Sequence, residues 1–170
     1  MTKPKVDIAS FQCHPDLDGG NREETALLLP MAEKALAYVR GFRWAPPIRD
    51  LYLAFGIGKI IALFLARFET PIEGHTEEEL WVVVGDMPSA YFVTEVSPNS
   101  AEALRVYCEL MEDWADRIIE GRDLGASYPI PVEPTLEHAR MLKSRIGTIR
   151  KDFVPLGCSR DLTVTAAGWR

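Results

Sequence analysis

The chain has 170 residues, of which 47% are hydrophobic and 26% charged, and its formal net charge is -6 at pH 7. This length and composition predict one soluble globular domain with a sizeable core. The acidic balance argues against nucleic acids and anionic membranes as partners, because both are bound through a surplus of lysine and arginine.

The N-terminus and the cysteines indicate a cytoplasmic location. No apolar segment follows Lys3 and Lys5, so a secretory signal is not expected. The most apolar run, 51–66, is shorter than the roughly 20 residues that a membrane span needs. Three cysteines without paired spacing argue against a disulfide framework, and Cys108 is interpreted as a small buried hydrophobe.

Residues 1–20 are rich in proline and glycine and are predicted to form a flexible arm, with an edge strand over 6–11 as its one regular element. A helix should begin at Asn21, because Glu24 completes a capping box with it. Pro30 predicts a kink or a division into two helices, and Gly41 should end the pattern.

The middle of the chain predicts an antiparallel meander of about three strands. Residues 42–49 contain two consecutive prolines and should be extended. Residues 51–55 could form a short helix or a strand, and 59–68 is strand-like. Residues 80–95 read as a hairpin, with a run of four β-branched and aromatic residues from Trp81, turn chemistry over 85–89, and apolar residues resuming at Ala90.

Two further helices complete the pattern. The first should run over 99–121 with Asn99 as its cap, and the second over 135–151. The first has a mainly acidic outer face and the second a mainly basic one, so we expect the two to lie side by side and neutralise each other. The expected fold is α+β: an antiparallel sheet of three to five strands with two or three helices packed on one face. The domain should span 21–157, followed by a tail over 158–170, in which Leu162, Val164 and Trp169 could add a strand or dock on a groove.

No cofactor or metal site is predicted. Residues 56–59 resemble the end of a phosphate-binding loop, but the required earlier glycine is replaced by Leu53 and the required hydroxyl residue by Ile60. The three histidines, His14, His75 and His138, lie in different regions, and no metal-ligand spacing occurs.

Four residues are candidates for ligand binding: Trp44, Trp81, Asp86 and Ser89. Asp86 and Ser89 in the hairpin turn, together with His75 or His138, could form a polar site, since catalytic or binding groups must converge in space. The alternative is that both turn residues bond the local backbone. Trp44 and Trp81 could line a groove, or they could be core aromatics. No residue is predicted to be catalytic.

Four carboxylates on the 99–121 helix form a candidate surface for a protein partner: Glu109, Glu112, Asp113 and Asp116. Their spacing places them on one face of the helix. Such a face could hold a divalent ion or meet a basic protein. The alternative is an ordinary solvated helix face.

Two segments, 81–91 (WVVVGDMPSAY) and 107–114 (YCELMEDW), resemble a family of uncharacterised bacterial proteins of similar length, over residues 42–155. The resemblance implies a bacterial cytosolic α+β domain and names no activity.

The leading hypothesis from the sequence is therefore a non-enzymatic bacterial protein that acts through protein–protein contacts, including self-association as a homodimer. One alternative is an immunity-type acidic inhibitor of a basic toxin. Another is a small-molecule-binding protein or enzyme with a pocket between sheet and helices.

Overall fold

One mixed sheet forms the middle layer of the molecule. The structure, a computed structural model, describes residues 5–154 and 163–164. Five strands pair antiparallel in chain order: β1 (Gln12–Cys13), β2 (Ile48–Ile57), β3 (Ile61–Phe68), β4 (Glu79–Gly85) and β5 (Ala90–Val93). A two-residue strand, β6 (Thr163–Val164), pairs parallel with β2. These strands confirm the α+β class and the expected antiparallel meander. The rest of the predicted tail lies outside the described residues.

The two central strands are buried on both faces. Every residue of β4 is buried, and successive side chains enter opposite cores. Trp81 and Val83 pack into one core, whereas Val82 and Val84 pack into the other. A strand covered on both faces is apolar throughout rather than alternating, which explains the continuous run that begins at Trp81.

Helices cover both faces. Two of them, α2 (Ser100–Ile119) and α3 (Leu136–Thr148), pack on one face as expected, and α1 (Arg22–Arg40) packs on the opposite face. The domain is thus a three-layer sandwich, with the sheet in the middle. Because β3 and β4 are apolar on both sides, each face of the sheet needs a cover. Within the described residues, no helix is long and apolar enough to cross a membrane.

The helix boundaries follow their capping residues. The side chains of Asn21, Asn99 and Thr135 each accept a hydrogen bond from the backbone N–H three residues later. This is the geometry that the capping residues predicted. The division at Pro30 does not occur, since α1 continues through it from Arg22 to Arg40.

The described part of the N-terminal segment lies against the sheet. Val6 is buried, and the ring of Phe11 lies 6.1 Å from that of Trp81, centroid to centroid. Regular pairing occurs in β1, not over 6–11 where we expected an edge strand. Whether residues 1–20 are flexible stays a prediction, but residues 5–13 contribute to the cover of the α2–α3 face.

A buried ion pair holds this segment in place. Arg67 on β3 and Glu79 on β4 are directly opposite each other, with Arg67 Nε 2.6 Å from Glu79 Oε1 and side-chain exposures of 12% and 6%. The other carboxylate oxygen accepts the Val6 N–H at 3.3 Å, and Arg67 donates to the Val6 carbonyl at 3.2 Å. The charges are therefore compensated by each other and by the backbone of the arm.

Candidate functional site

Phenol groups from both faces bind the backbone of the β4–β5 hairpin. Tyr107 on α2 donates a hydrogen bond to the carbonyl of Pro88 at 2.7 Å. Tyr38 on α1 donates to the carbonyl of Ser89 at 3.4 Å. Burial raises the pKa of both phenols well above its ordinary value, so both remain protonated donors at neutral pH. The turn is therefore held from both sides of the sheet.

A third phenol covers the free edge of β5. The Tyr128 hydroxyl accepts the N–H of Tyr91 at 2.9 Å and donates to its carbonyl at 3.1 Å. One side chain thus occupies both backbone groups that an edge strand presents outwards at this residue.

The turn that carries Asp86 depends on a glycine. Gly85 has φ +148°, and a Cβ at this position would lie 2.2 Å from the carbonyl oxygen of Ile60. The same oxygen accepts the Asp86 N–H at 3.1 Å, and Lys34 Nζ donates to the Gly85 carbonyl at 2.6 Å. Close approach of the β2–β3 turn to the hairpin requires glycine, and it fixes where Asp86 leaves the sheet.

A cavity lies between this turn and the helices α2 and α3. This helix-side cavity has a volume of about 290 Å³, and its lining is Asp86, Met87, Pro88, Trp114, Val132, His138, Met141, Leu142 and Arg145. Trp114, Met87 and Leu142 are buried and form an apolar floor. The structure therefore brings Asp86 and His138, two of the predicted site residues, to one cavity.

A backbone contact sets the tautomer of His138. Its Nδ1 lies 2.9 Å from the carbonyl oxygen of Glu133. Because a carbonyl oxygen only accepts, Nδ1 must carry the hydrogen, and in the neutral ring Nε2 is then the free acceptor. The backbone of His138 is fixed by the helix cap, since its N–H donates to Thr135 Oγ1 at 3.1 Å.

Arg145 was missed by the sequence reading, which placed it on the basic outer face of its helix. Its helical spacing from His138 is the sequence signal that could have identified it. His138, Met141, Leu142 and Arg145 are spaced i, i+3, i+4 and i+7, so they follow one side of α3. All four line the helix-side cavity.

The other predicted ligand residues lie elsewhere. Trp81 has no exposed surface, and its indole N–H donates to the Ser97 carbonyl at 2.7 Å, so it is a core residue. Ser89 is half-buried in the turn and is not in the lining of the helix-side cavity. Trp44 and His75 line a second cavity on the α1 face.

This second, aromatic cavity has a volume of about 310 Å³, and its lining is Trp44, Ile72, Glu73, His75, Glu77, Leu80, Tyr91 and Val93. The rings of Trp44 and Tyr91 are 4.9 Å apart, centroid to centroid. Tyr91 was not singled out in the sequence, because an aromatic residue in a strand usually indicates core packing.

The predicted partner surface on α2 is largely paired within the chain. Arg150 binds Glu112 through two contacts of 3.1 and 2.8 Å. Lys143 Nζ lies 2.5 Å from Asp116, completing the neutralisation of α2 by basic side chains from the α3 side. Asp113 pairs with Arg117 on its own helix at 2.9 Å, and Glu109 is exposed.

The described residues meet the requirements of neither a metal site nor a reactive thiol. They contain no group of three or more histidine, cysteine or carboxylate side chains that could hold a metal ion. Burial raises the pKa of the Cys108 thiol to about 11. Burial, with Asp50 and Asp16, also raises that of Cys13. Neither is an activated thiolate at neutral pH. Cys158 lies outside the described residues.

No family model matches the chain, and no curated protein or solved structure was found to be similar to it. The resemblance to a bacterial family therefore stays a prediction, and functional inference depends on the chemistry of the two cavities.

Proposed function

We propose that the protein binds a small amphipathic molecule in the helix-side cavity. The observation that carries the proposal is the shared lining: Asp86, His138 and Arg145 come from two separate parts of the chain and meet around one apolar floor. An apolar cavity with a few convergent polar groups is the usual form of a small-molecule site.

The lining indicates the chemistry of the ligand. Trp114 and Leu142 would contact an apolar body. Arg145 offers hydrogen-bond donors for a carboxylate, Asp86 offers acceptors for an ammonium or hydroxyl group, and His138 can accept through Nε2. Opposite charges around one opening favour a ligand with both kinds of group, such as an apolar α-amino acid. A purely anionic head group would be repelled by Asp86.

Isothermal titration calorimetry of the purified chain tests this proposal with three probes: leucine, isocaproate and isoamylamine. These share an aliphatic body and differ in the charged groups. We expect leucine to bind most tightly. Asp86→Asn should weaken the binding of leucine and isoamylamine, and Arg145→Gln that of leucine and isocaproate. Removing one charged hydrogen bond in a partly exposed site costs about 1–2 kcal/mol, or roughly tenfold in affinity.

Glu137→Gln is the matched control, because this exposed residue neighbours His138 and is not in the lining. It should bind as the unaltered chain does. The proposal is contradicted if none of the three probes binds, or if Asp86→Asn and Arg145→Gln bind them as tightly as the unaltered chain does.

Protein–protein contact and homodimer formation stay predictions. Exposed apolar side chains on α3, Leu136 at 48% and Met141 at 51% exposure, support them, since such groups often mark contact surfaces. Light scattering of the purified chain tests the homodimer directly. The inhibitor hypothesis has less support, because three of its four proposed contact carboxylates are already paired within the chain.

A further inference from the structure

The aromatic cavity on the α1 face has a wall built from stacked rings. Phe42 stacks on Trp44 with a centroid distance of 5.3 Å and an interplanar angle of 24°. Tyr91 contacts both rings, at 5.0 Å from Phe42 and 4.9 Å from Trp44. Of these three rings, Trp44 and Tyr91 are in the lining of the cavity and Phe42 is not. Phe42 therefore supports the other two rings from behind.

Another part of the lining is acidic. Glu73, His75 and Glu77 belong to one tight loop, closed by hydrogen bonds from the Ile72 N–H to the Glu77 carbonyl at 2.9 Å and from the His75 N–H to the Ile72 carbonyl at 2.8 Å. Among the described residues that line the cavity there is no lysine or arginine. The cavity therefore combines two aromatic rings with two carboxylates and the imidazole of His75, whose Nδ1 lies 3.9 Å from Glu77 Oε2.

This combination discriminates between ligand classes. Aromatic faces carry negative charge density and attract cations, and carboxylates reinforce that attraction. An anion would meet two carboxylates and neither a lysine nor an arginine among the described lining residues. A bare metal ion would gain little from the apolar walls of Ile72, Leu80 and Val93. An alkylated ammonium group has both the positive charge and the apolar surface that these walls suit.

We propose that the aromatic cavity is a second ligand site, which takes a small organic cation of the methylated ammonium class. Trp44 and Tyr91 contact the methyl groups, and Glu73 and Glu77 supply the compensating charge. This site lies on the opposite face of the sheet from the helix-side cavity and shares no lining residue with it.

The test compares two probes of equal shape by calorimetry or ligand-observed NMR. These are choline and its neutral carbon isostere, 3,3-dimethylbutan-1-ol. We expect choline to bind at least tenfold more tightly. Trp44→Leu should weaken choline binding at least tenfold and Trp44→Phe less, because phenylalanine retains an aromatic face. The double variant Glu73→Gln with Glu77→Gln should narrow the difference between choline and the isostere.

Glu69→Gln is the control for the carboxylate variants, since this exposed residue lies near the same loop and is not in the lining. It should leave the preference for choline unchanged. Thermal melting of each variant shows whether it is folded. If Trp44→Leu does not fold, Trp44→Phe still tests the aromatic wall. No choline binding to the unaltered chain, or equal binding of the isostere, overturns the proposal. Asp86→Asn should leave choline binding unchanged, so this result is independent of the helix-side cavity.

Discussion

The two faces of the sheet are covered in different ways. A sheet of five strands, spaced about 4.8 Å apart, is roughly 20 Å wide, and neighbouring helices pack about 8–10 Å apart. Two helices, α2 and α3, therefore suffice to cover most of one face, whereas α1 alone contacts β2, β3 and β4 on the other.

Side chains from irregular segments cover what the helices leave. On the α2–α3 face, Val6 and Phe11 of the N-terminal segment pack against the core. On the α1 face, Phe42 and Trp44 cover Tyr91 of β5. Large side chains from a loop pack less continuously than the ridges of a helix. The aromatic cavity lies at such a place, next to β5, where Tyr91 packs against Phe42 and Trp44.

The largest effect should come from breaking the cover of the α2–α3 face. Glu79→Ala removes both carboxylate oxygens, which accept from Arg67 and from the Val6 N–H, and it leaves a buried guanidinium without its counter-charge. Breaking one side of a buried ion pair costs about 3–5 kcal/mol of unfolding free energy. Urea unfolding followed by circular dichroism measures this loss.

Glu78→Ala is the control for this comparison. Glu78 is adjacent in the chain, but its side chain is 40% exposed and pairs at 3.5 Å with Lys5, which is 59% exposed. Surface pairs of this kind contribute little to stability. If the two alanine variants lost the same stability, the arm would not be held by the buried pair.

Local elements were predictable from the sequence, whereas the sharing of cavities was not. Asn99 and Thr135 specify helix starts because capping is a contact within four residues. The continuous apolar run at Trp81 predicted a strand. The same continuity also indicates burial on both faces of the sheet, and hence helices on both sides, which we did not infer from it. Asp86 and His138 are 52 positions apart, and only the packing of α3 beside the hairpin brings them to one cavity. Sequence reasoning could nominate both residues without showing that they meet.

Rising pH should lower the free energy of unfolding through groups on both faces of the sheet. Burial raises the pKa of Cys108 from an ordinary value of 9.0 to about 11, and it raises the pKa values of Tyr38, Tyr107 and Tyr128 above their ordinary 10.0. Above pH 9 the unfolded chain has released protons that the folded chain still holds. Its free energy of unfolding should then fall by about 1.4 kcal/mol per pH unit for each such proton.

Urea unfolding at intervals from pH 7 to pH 11 measures this slope. Cys108→Ala removes one of these protons, so between pH 9 and about 11 it should make the slope smaller by about 1.4 kcal/mol per pH unit. This holds whatever the substitution does to stability at pH 7. A flat profile above pH 9 would mean that these groups titrate in the folded chain as they do in the unfolded one.

The smallest effect should come from opening the edge of β5. Tyr128→Phe removes the hydroxyl that binds both the N–H and the carbonyl of Tyr91 and keeps the ring in place. We expect a loss of about 1 kcal/mol in unfolding free energy, because water can replace part of what the hydroxyl supplied at an edge. The Tyr91 amide should also exchange its hydrogen faster, as measured by NMR. Tyr52→Phe deletes a hydroxyl outside this set of bonds and should leave that amide unchanged. If the Tyr91 amide exchanged its hydrogen at the same rate in both variants, a group other than the Tyr128 hydroxyl would be protecting the edge of β5.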